Sequence, residues 1–252
     1  MIDIHTHLLP GVDDGSPSID VSVPVLERFR DHGVERLVCT PHLRASDASR
    51  VAPNQYAEVF AALVEHAPSR PALALGREIM LDVPGADLRG VHLRLGDSSA
   101  VLVEFPRMGV PPGADRELLR LRMSGVVPVL AHPERYRGCT PDKVEEWRNV
   151  GAVIQMDAAM IFGNAPMCRM ARMLLEAGLV DCIASDNHGD GRSLNVARAW
   201  LMEVGAEEQA ELLTSTNAAH LLANEPLVAV APIPRVESGM LRRLRGLLFG
   251  RR

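Results

Sequence analysis

The residues best suited to chemistry in this 252-residue chain are histidines and carboxylates that recur after short apolar runs. His5 and His7 end the first run, and Asp13 and Asp14 follow in the next loop. If that run is a strand, residues two apart point to the same side, so both imidazoles can reach one metal ion. A lone His-x-His is common, so this pair indicates only that a metal is possible.

Seven short apolar runs, which we predict to be strands, alternate with amphipathic segments of helical spacing. The runs are Ile2–Thr6, Arg36–Thr40, Ala72–Gly76, Ala100–Glu104, Val127–Ala131, Ala152–Met156 and Cys182–Ala184. Such alternation favours a parallel sheet, and a closed α/β barrel is its simplest form. The length and the 47% hydrophobic content suit a single domain with a full core.

Barrel enzymes place their chemistry at the carboxyl ends of the strands. Every predicted strand here ends at or near a side chain that can bind a metal ion. Besides the first-loop aspartates, these side chains are His5, His7, His42, Glu78, Glu104, His132, Asp157, Asp186 and His188. Imidazole and carboxylate ligands together suit Mn, Fe or Zn without choosing between them. The joint pattern predicts a metal centre far more strongly than any single fragment does.

Other classes of protein lack support in the sequence. No arginine stands six residues after any of the four cysteines, so the cysteine-nucleophile phosphatase signature is absent. Neither a C-x-x-C pair nor the glycine-rich P-loop motif occurs. The net charge of −5 argues against a nucleic-acid partner. We expect a cytoplasmic protein, because no basic-then-apolar leader and no membrane-length apolar run is found.

Six segments resemble, in order, the PHP (polymerase and histidinol phosphatase) superfamily: MIDIHTHLLPGVDDGS, CTPH, GREI, LVEF, AHPERY and ASDNH. The combination of DIHTHLLPGVDDG, HPERY and SDNH is closest to its bacterial capsule and exopolysaccharide branch, the metal-dependent protein-tyrosine phosphatases. The resemblance runs from Met1 to about Ala223. It implies a distorted, TIM-like (β/α)7 barrel over residues 1–226. Residues 227–252 would then form a Pro-containing linker and a basic tail.

The resemblance also implies three divalent ions, with Mn2+ as the expected metal and Fe or Zn as alternatives. Carried over by position, the first ion would be held by His5, His7, Glu78 and Asp186. A second would be held by Glu78, Glu104 and His132, and a third by Asp14, His42 and His188. Asp14 is preferred over Asp13 by this alignment alone. Arg135 and Arg192 match the two arginines that the family places on the phosphate, although surface ion pairs would also explain them.

The implied function is hydrolysis of phosphotyrosine on a protein by a metal-activated water. The expected substrate is a bacterial tyrosine kinase that regulates capsule or exopolysaccharide synthesis. The chemistry is consistent, because a phenol with a pKa of about 10 departs with little help from an acid, and arginine's planar fork suits a phosphoryl group. Two alternatives stay open: a phosphatase of a small phosphomonoester such as histidinol phosphate, and a catalytically silent binding protein of the same fold.

Several residues carry a weaker signal. His32, His66, His92 and His220 fall away from the strand ends and are interpreted as structural. Asp157 suits a contact with the site and a helix cap equally well. Residues 235–252 contain six arginines and one glutamate, with leucines at helical spacing after Met240. This tail could form a basic helix that touches an anionic membrane surface or an acidic partner, or a docked terminal helix. The sequence does not indicate the oligomeric state.

Overall fold

The computed structural model describes residues 1–106 and 109–235, in which every strand pairing is parallel. Its strands are β1 (Ile2–Thr6), β2 (Arg36–Cys39), β3 (His42–Arg44), β4 (Ala72–Leu75), β5 (Glu78–Met80), β6 (Ala100–Glu104), β7 (Val127–Ala131), β8 (Val153–Asp157) and β9 (Cys182–Ala184). They form a three-stranded sheet, β1-β2-β4, and a six-stranded sheet, β3-β5-β6-β7-β8-β9. The expectation of an α/β domain with parallel sheets is confirmed.

α-Helices lie in most of the longer connections between strands, as is usual for parallel pairing. They are α1 (Ile19–Asp31), α2 (Ala57–His66), α3 (Ala114–Met123), α4 (Pro141–Asn149), α5 (Pro166–Glu176), α6 (Leu194–Glu203), α7 (Glu207–Glu211) and α8 (Asn217–Ala223). Local sequence explains several ends. The Thr140 side chain caps α4 by accepting from the Lys143 N–H, and Pro141 occupies the first turn. None of the helices in the described part of the chain is long and apolar enough to cross a membrane.

All seven predicted strands are present, with ends shifted by no more than one residue. The prediction missed two strands, β3 and β5, which follow β2 and β4 after two-residue interruptions. Each is only three residues long and lacks an apolar run. Both begin on a predicted ligand, and the pairing sets His42 opposite Glu78. The missed strands therefore position site residues.

Backbone hydrogen bonds join the two sheets where β1 ends. The Asp186 N–H donates to the His5 carbonyl (3.0 Å), and the His7 N–H donates to the Asn187 carbonyl (2.7 Å). Thr6 and Asn187 form a parallel bridge at the same place. These bonds bring the chain after β9 alongside the end of β1. As a result, the histidines of the first strand lie beside Asp186.

The strands are buried on both faces, which fits parallel sheets covered by helices. All five residues of β1, β6 and β8 are buried. Aliphatic side chains dominate the core, together with the buried indoles of Trp147 and Trp200. A scaffold packed in this way holds the residues at its strand ends in fixed positions.

The chain after α8 packs back onto the domain as far as it is described. Val230 and Ile233 are buried, and the Ile233 N–H donates to the Leu175 carbonyl (3.2 Å). The predicted basic helix, with Leu241, Leu244, Leu247 and Leu248, lies outside the described residues. The proposed division at residue 226 therefore stays a prediction.

The buried Asn217 side chain ties this last segment to the body. Its amide donates to the Asp181 and Val228 carbonyls (both 3.0 Å) and accepts from the Val228 N–H (2.9 Å). We expect Asn217→Ala to lower the free energy of unfolding by about 3 kcal/mol, because each buried group left unpaired costs about 1–3 kcal/mol.

Urea denaturation would measure this loss. Asn149→Ala, at the exposed end of α4, is the matched control and should change stability by less than about 0.5 kcal/mol. Equal effects of the two substitutions would show that Asn217 does not anchor the segment.

Candidate metal centre

Four buried side chains direct ligand atoms at one another at the end of β1. The Nε2 atoms of His5 and His7 lie 3.2 Å apart. The Glu78 Oε2 atom is 3.3 Å from the first nitrogen and 3.2 Å from the second. The Asp186 Oδ1 atom is 3.3 Å from each. The structure thus brings together all four residues predicted to share an ion.

These distances fit a metal ion. Ligands about 2.1 Å from one ion, in tetrahedral or octahedral geometry, lie about 3.0–3.4 Å from each other. The five distances above, 3.2–3.3 Å, all fall in this range. Two protonated imidazoles facing each other this closely would repel, whereas two nitrogen lone pairs aimed at one cation would not. The donor set is therefore suited to a divalent metal.

The carboxylate of Glu78 contacts more of the site than this first group. Its Oε2 lies 3.0 Å from His42 Nδ1, and its Oε1 lies 2.9 Å from His132 Nε2. Burial opposes the charge on Glu78, but the charge of His5 and hydrogen bonds from His132 and His42 hold its pKa well below the usual range. An ionised carboxylate with imidazoles on both oxygens has the geometry of a shared ligand.

Glu104 and His132 fall into different candidate ligand groups, both of which include Glu78. His132 groups with His5 and Glu78, whereas Glu104 groups with His42 and Glu78. The Nδ1 atom of His132 is buried and finds no hydrogen-bond partner among the described residues. The three predicted members of the second set are thus near one another, but the division of ligands among ions stays a prediction.

The third predicted set lies nearer the surface. Asp14 Oδ1 is 3.2 Å from His42 Nε2 and 3.7 Å from His188 Nε2. His7 joins this group, and its ring stacks on that of His188 with centroids 4.1 Å apart. The Asp14 side chain is 59% exposed, so this part of the cluster is open to solvent.

Neighbouring side chains fix the orientation of the two first-strand histidines. The Nδ1 atom of His7 lies 2.7 Å from Asp13 Oδ2, and that of His5 lies 2.9 Å from Gln155 Oε1. Each contact leaves Nε2 facing the cluster, as supporting residues of metal sites commonly do. Neither orienting role is predicted by the spacing of residues along the chain. A lone glutamine in the apolar run of β8 was the available signal for Gln155.

Electrostatics in the cluster favour charged forms. Burial opposes the charge on His5, but Glu78 and Asp186 outweigh it and raise its pKa to about 9. Burial likewise opposes the charge on Asp186, yet His5, His7 and Arg135 lower its pKa. Imidazoles must be deprotonated to bind a metal, so binding would displace protons from these histidines.

The two predicted catalytic arginines meet at Asp186. Arg135 Nη2 lies 2.6 Å from Asp186 Oδ2 and also contacts Asp157. Arg192 Nη1 lies 3.4 Å from the same Asp186 oxygen, and its Nε lies 2.9 Å from Asp190 Oδ2. One oxygen of Asp186 therefore faces the imidazoles, and the other faces the guanidinium groups.

Asp157 combines the two roles that the sequence left open. Its Oδ1 caps a short helical turn by accepting from the Ala159 N–H (2.8 Å), while its Oδ2 faces Arg135. His132 and Asp186 have φ angles of +36° and +48°, which non-glycine residues seldom adopt. Such strain is typical of functional sites.

A cavity of about 270 Å³ opens onto the cluster. Its wall contains six of the predicted ligands together with Arg135, Phe105 and Tyr136. The Tyr136 hydroxyl donates to the Ala131 carbonyl (2.7 Å) and accepts from the Phe105 N–H (3.1 Å). The aromatic wall is therefore held in place by the strands behind it.

The remaining histidines do not join the cluster. His32 contacts Ser193 Oγ, His66 contacts the Ala62 carbonyl and His220 contacts the Pro226 carbonyl. His92 is also outside the candidate ligand groups found in the described residues. These contacts agree with the structural interpretation of His32, His66 and His220.

Parallel strands that end in a shared cluster of imidazoles and carboxylates are the arrangement that metal-dependent hydrolases of the α/β class use. The chain belongs to the capsular polysaccharide synthesis family CpsB/CapC, whose sequence profile matches residues 1–223. This match confirms the resemblance found in the sequence.

Characterised relatives are similar over most of their length. The tyrosine-protein phosphatase YwqE of Bacillus subtilis is 29% identical over 253 residues, covering 93% of this chain and 96% of the relative. CpsB of Streptococcus pneumoniae, also a tyrosine-protein phosphatase, is 30% identical, with 84% and 94% covered. A crystal structure from work on YwqE and CpsB, described as unique metal-dependent tyrosine phosphatases, matches with a TM-score of 0.77 and 27% identity. It covers 94% of this chain and 100% of that one.

Gly15 sits against His7 so closely that only glycine fits. A Cβ at position 15 would lie 2.2 Å from the His7 carbonyl oxygen and 2.4 Å from its Cβ. We expect Gly15→Ala to displace His7 and weaken metal binding about 10- to 100-fold, the usual effect of disturbing the support of a ligand.

Metal retained after dialysis against a graded chelator would measure the change. Gly191→Ala is the control, because a Cβ there meets no atom within 4 Å. Unchanged metal retention in a folded Gly15→Ala protein would contradict the role of this turn.

Proposed function

We propose that this chain is a metal-dependent protein-tyrosine phosphatase acting on phosphotyrosine in a bacterial protein. The observation that carries the proposal is the clustering of nine predicted ligands beside one cavity, which six of them line, with Arg135 and Arg192 next to Asp186. The names of the relatives, tyrosine-protein phosphatases of capsule synthesis, support the same activity. A silent binding protein would have no need for so many buried charged groups.

The metal set forms part of the proposal. We infer three divalent ions, with manganese as the expected metal, held by the residue groups described above. When bound, such ions supply positive charge beside a phosphoryl group and lower the pKa of a water toward neutrality. The cavity itself requires cations, because a phosphate dianion would otherwise face the carboxylates of Glu78, Glu104 and Asp186.

A closed, distorted barrel of seven strands would account for this convergence. In that arrangement, β2 with β3 and β4 with β5 each count as one interrupted strand. The bridge between Thr6 and Asn187 supports closure, because it joins the first strand to the chain after the last one. All strand ends would then meet at one rim, as in other α/β barrels.

Arg135 and Arg192 would hold the phosphoryl oxygens. A phosphotyrosine carries a charge of roughly −1.5 to −2 at pH 7, and a guanidinium group can donate two parallel hydrogen bonds to it. Asp186 orients both guanidinium groups before substrate arrives. Donors that are already oriented stabilise the charge that develops on these oxygens during the reaction.

The aromatic wall favours an aryl phosphate over an alkyl one. The rings of Phe105 and Tyr136, with centroids 5.4 Å apart, line the cavity and offer an apolar surface for the substrate's phenyl ring. The Tyr136 hydroxyl is already committed to backbone partners, so we assign it no role as a proton donor. A phenol, with a pKa of about 10, is a good enough leaving group to depart with little help from a proton donor.

We extend the proposal to a physiological substrate, a bacterial tyrosine kinase that controls capsule or exopolysaccharide export. The family's role in capsular polysaccharide synthesis supports this choice. We include a cytoplasmic location in this proposal. The four cysteines are all buried and unpaired, which is consistent with a reducing compartment. Contact of the basic tail with an anionic membrane surface, near such a kinase, also remains a proposal.

Phosphate release from a phosphotyrosyl peptide tests the proposal. We expect release that disappears after chelation and returns with Mn2+. Arg135→Ala should keep its metal ions but lose turnover by about 100- to 1,000-fold, the usual cost of removing an oriented donor. Arg137→Ala, exposed two residues further on, is the control and should retain activity.

Histidinol phosphate, assayed in parallel, separates the substrates. Hydrolysis of histidinol phosphate without hydrolysis of the peptide would replace the proposed substrate class. If neither substrate released phosphate with Mn, Fe or Zn, the proposal that the chain is a phosphatase would be overturned. Retained activity in Arg135→Ala would remove that residue from the mechanism.

A further inference from the structure

A second cavity, of about 360 Å³, lies apart from the predicted ligands. Its wall includes Tyr56, Arg77, His92 and Arg94, together with backbone and side chains of β4. None of these residues belongs to the metal-ligand groups found in the described part of the chain. The cavity therefore joins two arginines and a histidine to which the phosphatase mechanism gives no role.

Arg77 is buried, and no counterion for it is found among residues 1–106 and 109–235. Its side chain is fixed by a hydrogen bond from Nη1 to the Gly76 carbonyl (2.9 Å) and by the ring of Tyr56, 4.5 Å from the guanidinium carbon. The residue is only 3% exposed, its Nε has no partner, and no described carboxylate lies within 4.0 Å. Since burying a charge without a partner costs free energy, this guanidinium lacks an anion.

Two neighbouring side chains, those of Arg94 and His92, also have a buried nitrogen atom without a hydrogen-bond partner among the described residues. The Arg94 Nη2 donates to the Arg89 carbonyl (2.9 Å), but its Nε is buried and unpartnered among the described residues. The Nε2 of His92 is likewise buried without a partner there. Asp97 also lines the cavity, but its side chain is not within 4.0 Å of either arginine, and it is exposed. Arg77, His92 and Arg94, which carry these unpartnered nitrogens, therefore line the same cavity.

We propose that this cavity is an anion-binding site, distinct from the metal centre, for a small oxyanion such as inorganic phosphate. Arg77 and Arg94 offer planar N–H donors that match the oxygens of such an ion. Tyr56 holds Arg77 from the face of its guanidinium group, which leaves the N–H edge available. The bound anion would supply the missing counter-charge.

Thermal unfolding of the metal-loaded full chain in rising inorganic phosphate, at constant ionic strength, tests the site. Phosphate raises the midpoint if it binds the folded state. We expect Arg77→Met and Arg94→Met to lose about half of the wild-type rise or more. Arg116→Met, on the exposed face of α3, is the matched control and should keep all of it. General salt effects and phosphate at the metal centre are common to all four proteins.

Arg77→Met should also unfold no earlier than the wild type without phosphate, because the substitution removes an unpaired buried charge. Crystals of the unsubstituted protein soaked in selenate should show anomalous density between Arg77 and Arg94. Equal phosphate-induced rises in all four proteins, or selenate crystals without density there, would overturn the proposal. If Arg77→Met fails to fold, the phosphate-induced rise of Arg94→Met and the selenate density still test the proposal.

Discussion

The carboxylate of Glu78 lies within 3.3 Å of four imidazoles, those of His5, His7, His42 and His132, and the residue is only 1% exposed. An ionised group in such a place is costly unless positive charge surrounds it. The strands that deliver these imidazoles are therefore constrained to end around one point. Removal of any of them would leave a buried charge poorly compensated, so fold and site depend on each other.

Asp186 extends this constraint from the ligands to the proposed phosphate contacts. Its left-handed backbone conformation follows β9, and the bonds between residues 186–187 and β1 keep it beside His5. One carboxylate then orients imidazoles on one side and arginines on the other. Charge placed in this way before substrate binds need not be rearranged during the reaction.

The sequence predicted the strands and the clustering of the candidate ligands for the same reason. Apolar runs identify buried strands, and parallel strands that end in metal-competent residues must bring them together. It did not predict β3 and β5, whose polar, three-residue segments have no recognisable period. Three further features depend on side-chain directions. They are the support of His7 by Asp13, the double role of Asp157, and the grouping of His132 apart from Glu104. Spacing along the chain does not encode those directions.

The central claim, that Glu78 is shared by a catalytic metal cluster, is tested most directly by elemental analysis and peptide turnover of Glu78→Gln. Glutamine keeps the shape but removes the charge, so bound metal and turnover should both fall about 10- to 100-fold or more, as for other changes to metal ligands and their support. Glu145→Gln, on the exposed surface of α4, should match the wild type. A Glu78→Gln protein with wild-type metal content and wild-type turnover would contradict the account.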